Sequence, residues 1–385
     1  MTEKLFYEDS HLITFTATVL SCEKGKDYYE VVLDRTAFFP EGGGQAADTG
    51  VLDHVKVLDA HERDGVIYHM TEEPVEVGKQ VQGTINWEER FSKMQQHSGE
   101  HIISGLIHGK YGYNNVGFHL GKEIVTMDFD GTLTKEQIRE IEYQANEAVA
   151  KNLDIQVSYP SKEELEVLPY RSKIEIEGAV RIVTIEGYDI CACCAPHVNK
   201  TGEIGLIKLT NVQNYKGGIR VTMMCGFRAL ADYNEKETSV KNISMELSAP
   251  ENGIYEAVTQ LKEEKASLKN KIAELQKQLI VSKVDKIKEG QNFVCMFEHD
   301  LEGNGPRELV NMILEKDVTI GAVFAGNDTK GYRYVIGSRK EDVRPVAKMI
   351  NDQFNGRGGG KPEMVQGSLQ GNEEKIYTFL SCNFS

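Results

Sequence analysis

Basic charge is what this 385-residue sequence has too little of: 44 Lys and Arg stand against 59 Asp and Glu, a formal net charge of −15. A chain this acidic does not coat nucleic acid non-specifically, so any nucleic-acid partner has to be met by a local basic patch. Long hydrophobic runs are also missing. No uninterrupted apolar stretch approaches the ~18 residues of a membrane helix. The N-terminal MTEKLFYEDS is acidic and has no apolar h-region, which predicts no signal peptide. Cysteines are few and unevenly placed: seven, at 22, 191, 193, 194, 225, 295 and 382, three of them within four positions. That odd number is no secreted disulfide framework; it predicts a cytoplasmic chain with metal or redox chemistry at 191–194. Internal repeats and low-complexity tracts are absent.

What is there is an ordinary soluble composition, 40% hydrophobic and 27% charged, long enough at ~150 residues per domain for two to three domains. Residues 1–88 read as β, with alternating stretches such as ITFTATVLSC and YYEVVLD around a Gly-rich loop in TAFFPEGGGQAADTG. A helix is predicted from about Trp87, and strand-like segments alternate with a polar helix up to about residue 248. From about Ile254 to Lys288, Val258, Leu261, Leu268, Ile272, Leu275 and Leu279 keep a 3-4 spacing broken only at Lys265, which predicts a coiled-coil arm over 249–289. Residues 290–385, with VCMFEHD, TIGAVFAGND and RPVAKMINDQF, read as a small α/β domain carrying a second Gly-rich segment, NGRGGGKPEMVQGS.

Two pairs of residues carry the chemistry. QQHSGEHIISGLI puts His97 and His101 four apart, on one face of a helix and one turn from each other. CACCAPHV offers Cys193 and His197, again four apart, with Cys191 and Cys194 as competitors. Thiolate and imidazole together favour zinc over magnesium or calcium. The protease pattern HExxH does not apply, because Ser98 follows the first His and the acid, Glu100, precedes the second.

HxxxH followed some ninety residues later by CxxxH resembles the editing domain of alanyl-tRNA synthetase and the free-standing AlaX proteins. Other segments agree in order: LDRTAFFPEGGGQAADTG, VGFHLGKEIVTMDFD, HVNKTGEIGLIKL and KGGIRVTMMCGFRAL. The arm and NGRGGGKPEMVQGS resemble the synthetase's C-terminal domain, which points to the long form of AlaX. The family's CGGTH reads Cys193-Cys194-Ala195-Pro196-His197 here, and its HTAxH reads HSGEH.

The resemblance implies an α+β multidomain fold. Its parts would be a β-barrel-like N-terminal domain, a zinc-containing editing domain over 89–248, the helical arm and the C-terminal α/β domain. It further implies Zn²⁺ on His97, His101, Cys193 and His197, with Ser98 and Glu100 as candidate catalytic residues. With no room for an ATP-binding core, trans-editing is expected: hydrolysis of Ser-tRNA(Ala) and Gly-tRNA(Ala) charged wrongly by another enzyme. Binding of tRNA is assigned to Gly42, Gly43, Gly44, Gln45, Lys216, Arg220, Arg357 and Lys361, and the resemblance places the Pro40–Gln45 loop near the acceptor end. The stretch 204–231 contains no Asp or Glu but Lys208, Lys216, Arg220 and Arg228, a local reversal of the chain's charge.

A non-catalytic zinc-stabilised tRNA-binding protein is the rival reading, since four protein ligands suit a structural ion. A homodimer through the arm or the C-terminal domain is also expected. DHH phosphoesterase chemistry is excluded by the lack of a DHH motif. A Walker A loop is excluded because Asn355 stands where the first Gly is needed and Pro362 follows Lys361.

Overall fold

Period-two alternation turns Phe15, Ala17 and Val19 inward from the strand Thr14–Lys24, and Val81 and Ile85 inward from Gln80–Ile85. These strands belong to a set of six that pair in a closed order: Thr14–Lys24, Tyr29–Leu33, Val66–Thr71, Val55–Arg63, Gly50–Leu52, Gln80–Ile85 and back to the first. Val31, Leu33, Phe38, Leu52 and Val57 fill the interior. The structure is a computed structural model that describes residues 1–172, 179–299 and 301–384. Asp300, the last residue of the VCMFEHD strand expectation, lies outside the described residues. The chain divides into two units, Met1–Met245 and Glu246–Ser385. It is α+β and multidomain, as expected.

His69 in this β unit is fully buried. Its Nδ1–H donates to the Val31 carbonyl at 3.0 Å, and its Nε2 accepts from the Thr36 hydroxyl at 2.8 Å. The Thr36 oxygen already accepts from the Phe38 N–H, so a neutral imidazole is what the site fits. Burial pushes the His69 pKa down to about 4, against the Val31 contact. Between the unfolded value near 6.5 and that folded value, only the unfolded chain binds the proton. Stability therefore falls as pH drops through this window, by ~3 kcal/mol. Urea unfolding between pH 6.5 and 4 should show this loss, and His69→Gln should flatten it; an equally steep loss in the variant would contradict the assignment.

Helix α1, Trp87–Tyr111, runs through the rest of the first unit. Asn86 caps it by accepting the Glu89 N–H, Glu88 and Glu89 sit favourably in its first turn, and Gly112 ends it in the left-handed region. Met94, Ile102, Ile103 and Ile107 pack against an antiparallel sheet ordered Ile207–Tyr215, Gly218–Cys225, Val125–Phe129, Asn115–Leu120. Ile141 and Ala145 of α2, Lys135–Lys151, join that core. A three-stranded antiparallel sheet, Ile155–Ser158, Ile182–Ile185 and Asp189–Ala192, leads into the cysteine cluster.

The second unit holds a five-stranded sheet ordered Phe293–Glu298, Ile320–Asn327, Gly331–Gly337, Met364–Leu369, Arg357–Lys361, its first pair parallel and the rest antiparallel. A 31-residue helix, Ile254–Val284, precedes it. Val284 anchors that helix on Leu309, Val310 and Ile313, whereas Val258, Leu261, Leu268, Ile272, Leu275 and Leu279 are exposed. Among the described residues no helix is long and apolar enough to cross a membrane.

Candidate metal centre

Helix α1 supplies His97 and His101, their rings stacked 5.6 Å apart. The turn after the strand Asp189–Ala192 supplies Cys193 and His197, and Arg181 fixes that turn by donating from Nη1 to the carbonyls of Cys193 and Ala195. Cys193 Sγ lies 3.5 Å from His97 Nε2 and 3.4 Å from His197 Nε2. One donor atom from each of His97, His101, Cys193 and His197 falls within 4.8 Å of the other three, and this cluster could hold a metal ion.

The geometry of the imidazoles supports that role. Each ring meets a different side chain at Nδ1: His97 meets Gln45 Oε1 at 3.1 Å, His101 meets Asp189 Oδ2 at 2.7 Å, and His197 meets Ser98 Oγ at 3.1 Å. Fixing a proton or partner at Nδ1 leaves the Nε2 lone pair for an ion, the usual arrangement around metal-bound histidines. Electrostatics point the same way. Burial opposes the Cys193 thiolate, but His97 and His197 beside it hold the thiol well below its ordinary range. Burial pushes His197 down to about 3, against the pull of the Cys193 thiolate. Burial opposes charge on His101 as well, but its hydrogen bond to Asp189 and the nearby cysteines hold its pKa above the ordinary range. One soft thiolate with three imidazoles is a donor set that zinc fits.

The Gly-rich loop is pinned against the same helix. Arg90, fully buried, donates from Nε to Asp48 Oδ2 at 2.8 Å and from Nη1 to the Ser10 carbonyl at 3.0 Å. Asp48 closes the neck of the loop by accepting the Phe39 N–H, and Lys93 donates to the Ala47 carbonyl. Gly43 and Gly44 adopt φ values of 62° and 80°. A Cβ on Gly43 would lie 3.2 Å from Cys194 Sγ and one on Gly44 2.9 Å from the Phe118 ring, so only glycine permits this approach. Gln45 is thereby delivered to His97, and Phe118 lies over the His97 ring at 4.8 Å.

Other predicted site residues have their own surroundings. Ser98 is buried and its hydroxyl meets His197 and the Val198 N–H. Glu100 is also buried, and its carboxylate accepts from Ser104 and Asn115. Arg220 is engaged with both oxygens of Asp128 at 2.6 and 2.7 Å and lies 3.8 Å from the Tyr215 ring centroid. Lys216 Nζ sits 5.1 Å from the same ring. Arg357 and Lys361 occupy an edge strand of the second unit, paired with Met364–Leu369. Sequence reasoning passed over Asp189, Arg171, Arg181, Arg90 and Phe118. Of these only Asp189 had a local signal, standing two and four residues before Cys191 and Cys193.

Comparison with known proteins shows what this chain is similar to. Residues 180–222 match the threonyl and alanyl tRNA synthetase second additional domain, residues 2–89 the class II (A) tRNA synthetases, and residues 276–382 the DHHA1 domain. The alanyl-tRNA editing protein AlaX-L of Pyrococcus horikoshii is 27% identical over 98% of this chain and 97% of its own length. The alanyl-tRNA editing protein Aarsd1 of Rattus norvegicus is 28% identical over 94% of this chain and 93% of its own. The alanine–tRNA ligase of Pyrobaculum neutrophilum is 31% identical over 97% of this chain, which spans only 43% of that enzyme. The chain is thus similar over nearly its whole length to free-standing alanyl-tRNA editing proteins of the AlaX-L and Aarsd1 type, and to the alanine–tRNA ligases over less than half of theirs.

Proposed function

We propose that the chain is a trans-editing aminoacyl-tRNA deacylase that hydrolyses Ser-tRNA(Ala) and Gly-tRNA(Ala) and spares Ala-tRNA(Ala). The observation that carries this reading is the four-donor cluster of His97, His101, Cys193 and His197 lying beside the Gly42–Gln45 loop. Zn²⁺ held there would supply a positive charge to position the amino acid's polar group or to lower the pKa of a water. Gln45 supports the reading independently. Its Oε1 meets His97, and its buried Nε2 has no hydrogen-bond partner among the described residues, an open donor for the ester or the terminal nucleoside. Ser98 and Glu100 act from behind this surface, Ser98 by orienting His197 and Glu100 by fixing α1 to the strand that begins at Asn115.

The selectivity has a physical basis. A synthetase pocket sized for alanine cannot strongly reject glycine, which is smaller, or serine, which adds one hydroxyl, so a second site must remove the errors. We further propose the finer division of the chain into 1–88, 89–248, 249–289 and 290–385, with the tRNA-binding residues named above. Self-association runs through the exposed row Val258–Leu279, whose apolar side chains gain from a second copy. The rival reading, a zinc-stabilised tRNA-binding protein without activity, is favoured by one observation: four protein donors saturate a tetrahedral ion. Ester loss from purified Ser-, Gly- and Ala-charged tRNA(Ala) separates the readings. We expect fast release of serine and glycine with alanine retained; equal loss of all three, or none, would contradict the proposal.

A further inference from the structure

A second, overlapping donor set lies against the first. His101, Asp189 and Cys191 are all buried and bring their own donor atoms within 4.8 Å of one another. Residues 189 and 191 share a face of their strand, which is why both reach the same imidazole. Gly105 makes this approach possible, because a Cβ there would lie 2.1 Å from the Tyr188 carbonyl oxygen and 2.8 Å from Asp189 Cβ. His101 is therefore common to two sets, and a metal ion drawn to the second would leave the first incomplete.

Arg171 lies at the junction. Its Nε donates to Asp189 Oδ1 at 2.7 Å and its Nη2 to Asp189 Oδ2 at 2.9 Å, so both carboxylate oxygens are engaged. Its backbone is held as firmly: the Arg171 N–H donates to the Ile190 carbonyl at 2.8 Å, and its carbonyl accepts the Ala192 N–H at 2.9 Å. The residue is thus laid along Cys191 as a bridge, its backbone fixed beside the strand that carries Asp189. Asp189, meanwhile, lies 2.7 Å from His101 Nδ1, a hydrogen-bond length rather than the separation of two atoms that share an ion.

We propose that Arg171 decides which donor set holds the metal: by occupying both oxygens of Asp189 it keeps that residue as the hydrogen-bond acceptor of His101 and bars the His101/Asp189/Cys191 set from coordinating. The inference rests on the reading that His97, His101, Cys193 and His197 are the ligands. Its physical core is charge balance. A buried carboxylate needs a cation beside it, and the guanidinium fork supplies one with a geometry that fills both acceptor sites. Without it, a divalent ion is the natural replacement, and Cys191 and His101 stand ready to complete its coordination. Asp189 and Arg171 are positioning residues, acting through His101.

Loading the full-length chain with Co²⁺ tests this, because thiolate-to-cobalt absorption reports which cysteine is bound, alongside metal content per chain. In the native chain we expect one metal ion and a spectrum unchanged by Cys191→Ser. In Arg171→Met the spectrum should become sensitive to Cys191→Ser. Affinity at the first set should fall by roughly tenfold to a hundredfold, as when a ligand's hydrogen-bond partner is disturbed. Adding Asp189→Asn to Arg171→Met should restore the native spectrum, since the amide carries no charge to balance yet still accepts from His101; a merely structural arginine would not be rescued this way. If Arg171→Met does not fold, Arg171→Lys, which keeps the charge but cannot engage both oxygens, carries the same readout. A Cys191-independent spectrum in the variant, or no rescue by Asp189→Asn, would overturn the inference while leaving the four-ligand site intact. A native chain that takes up no metal would instead contradict the proposed function, and this inference with it.

Discussion

Cys193→Ala should abolish metal binding and slow deacylation of Ser-tRNA(Ala) by roughly 100-fold or more, beyond the tenfold to hundredfold cost of disturbing a ligand's hydrogen-bond partner. Cys191→Ala and Cys194→Ala should leave metal content at one per chain and activity within a few-fold of native. The contrast follows from position. Cys193 Sγ faces the Nε2 atoms of His97 and His197 and is the set's one anionic donor, so its loss removes both a ligand and the charge that offsets the ion. Cys194 is exposed and turns to Gly42 and Gly43 instead. Cys191 packs beside Asp189 with Arg171 bridging over it. Metal analysis and single-turnover rates on the three variants check this. Loss of metal in Cys191→Ala alone would show that the ligand register is shifted by two residues.

How far the sequence reached is best seen residue by residue. His97 with His101, and Cys193 with His197, were legible because four residues is nearly one helical turn, or one tight turn, so spacing alone carries the geometry. The helix Ile254–Val284 was legible for the same reason, its 3-4 row being a local pattern. Arg171 was not: it reaches Asp189 across 18 residues, through a strand pairing that no local periodicity announces. Nor were Arg90 and Asp48, a buried pair 42 residues apart. The acid-free stretch 204–231 is the instructive case. Sequence alone shows a run of cations, but in space Arg220 meets Asp128 and Lys208 meets Glu142, acids carried by a neighbouring strand and by α2. A stretch free of acids along the chain is not free of them across a sheet. Lys216, beside the hairpin turn, and Arg228, which donates to the Ser92 hydroxyl and the Gly121 carbonyl, are the cations of this stretch with no carboxylate among their described contacts.

The central claim is that the four-donor cluster is where the ester is broken, and removing the ion tests it most directly. Its donors come from α1 and from the turn at 193–197, both independently anchored: α1 by its cap and its buried apolar face, the turn by Arg181. The ion would therefore complete a preformed site rather than nucleate the domain, unlike the small zinc modules that unfold without it. The measurement is single-turnover hydrolysis of Ser-tRNA(Ala) by the native chain, by chelator-stripped protein and by the same sample reloaded with Zn²⁺, with secondary structure followed in parallel. The account predicts a loss of roughly 100-fold or more on stripping, no change in secondary structure, and recovery on reloading. Undiminished hydrolysis by the stripped protein, or unfolding that accounts for the whole loss, would contradict it.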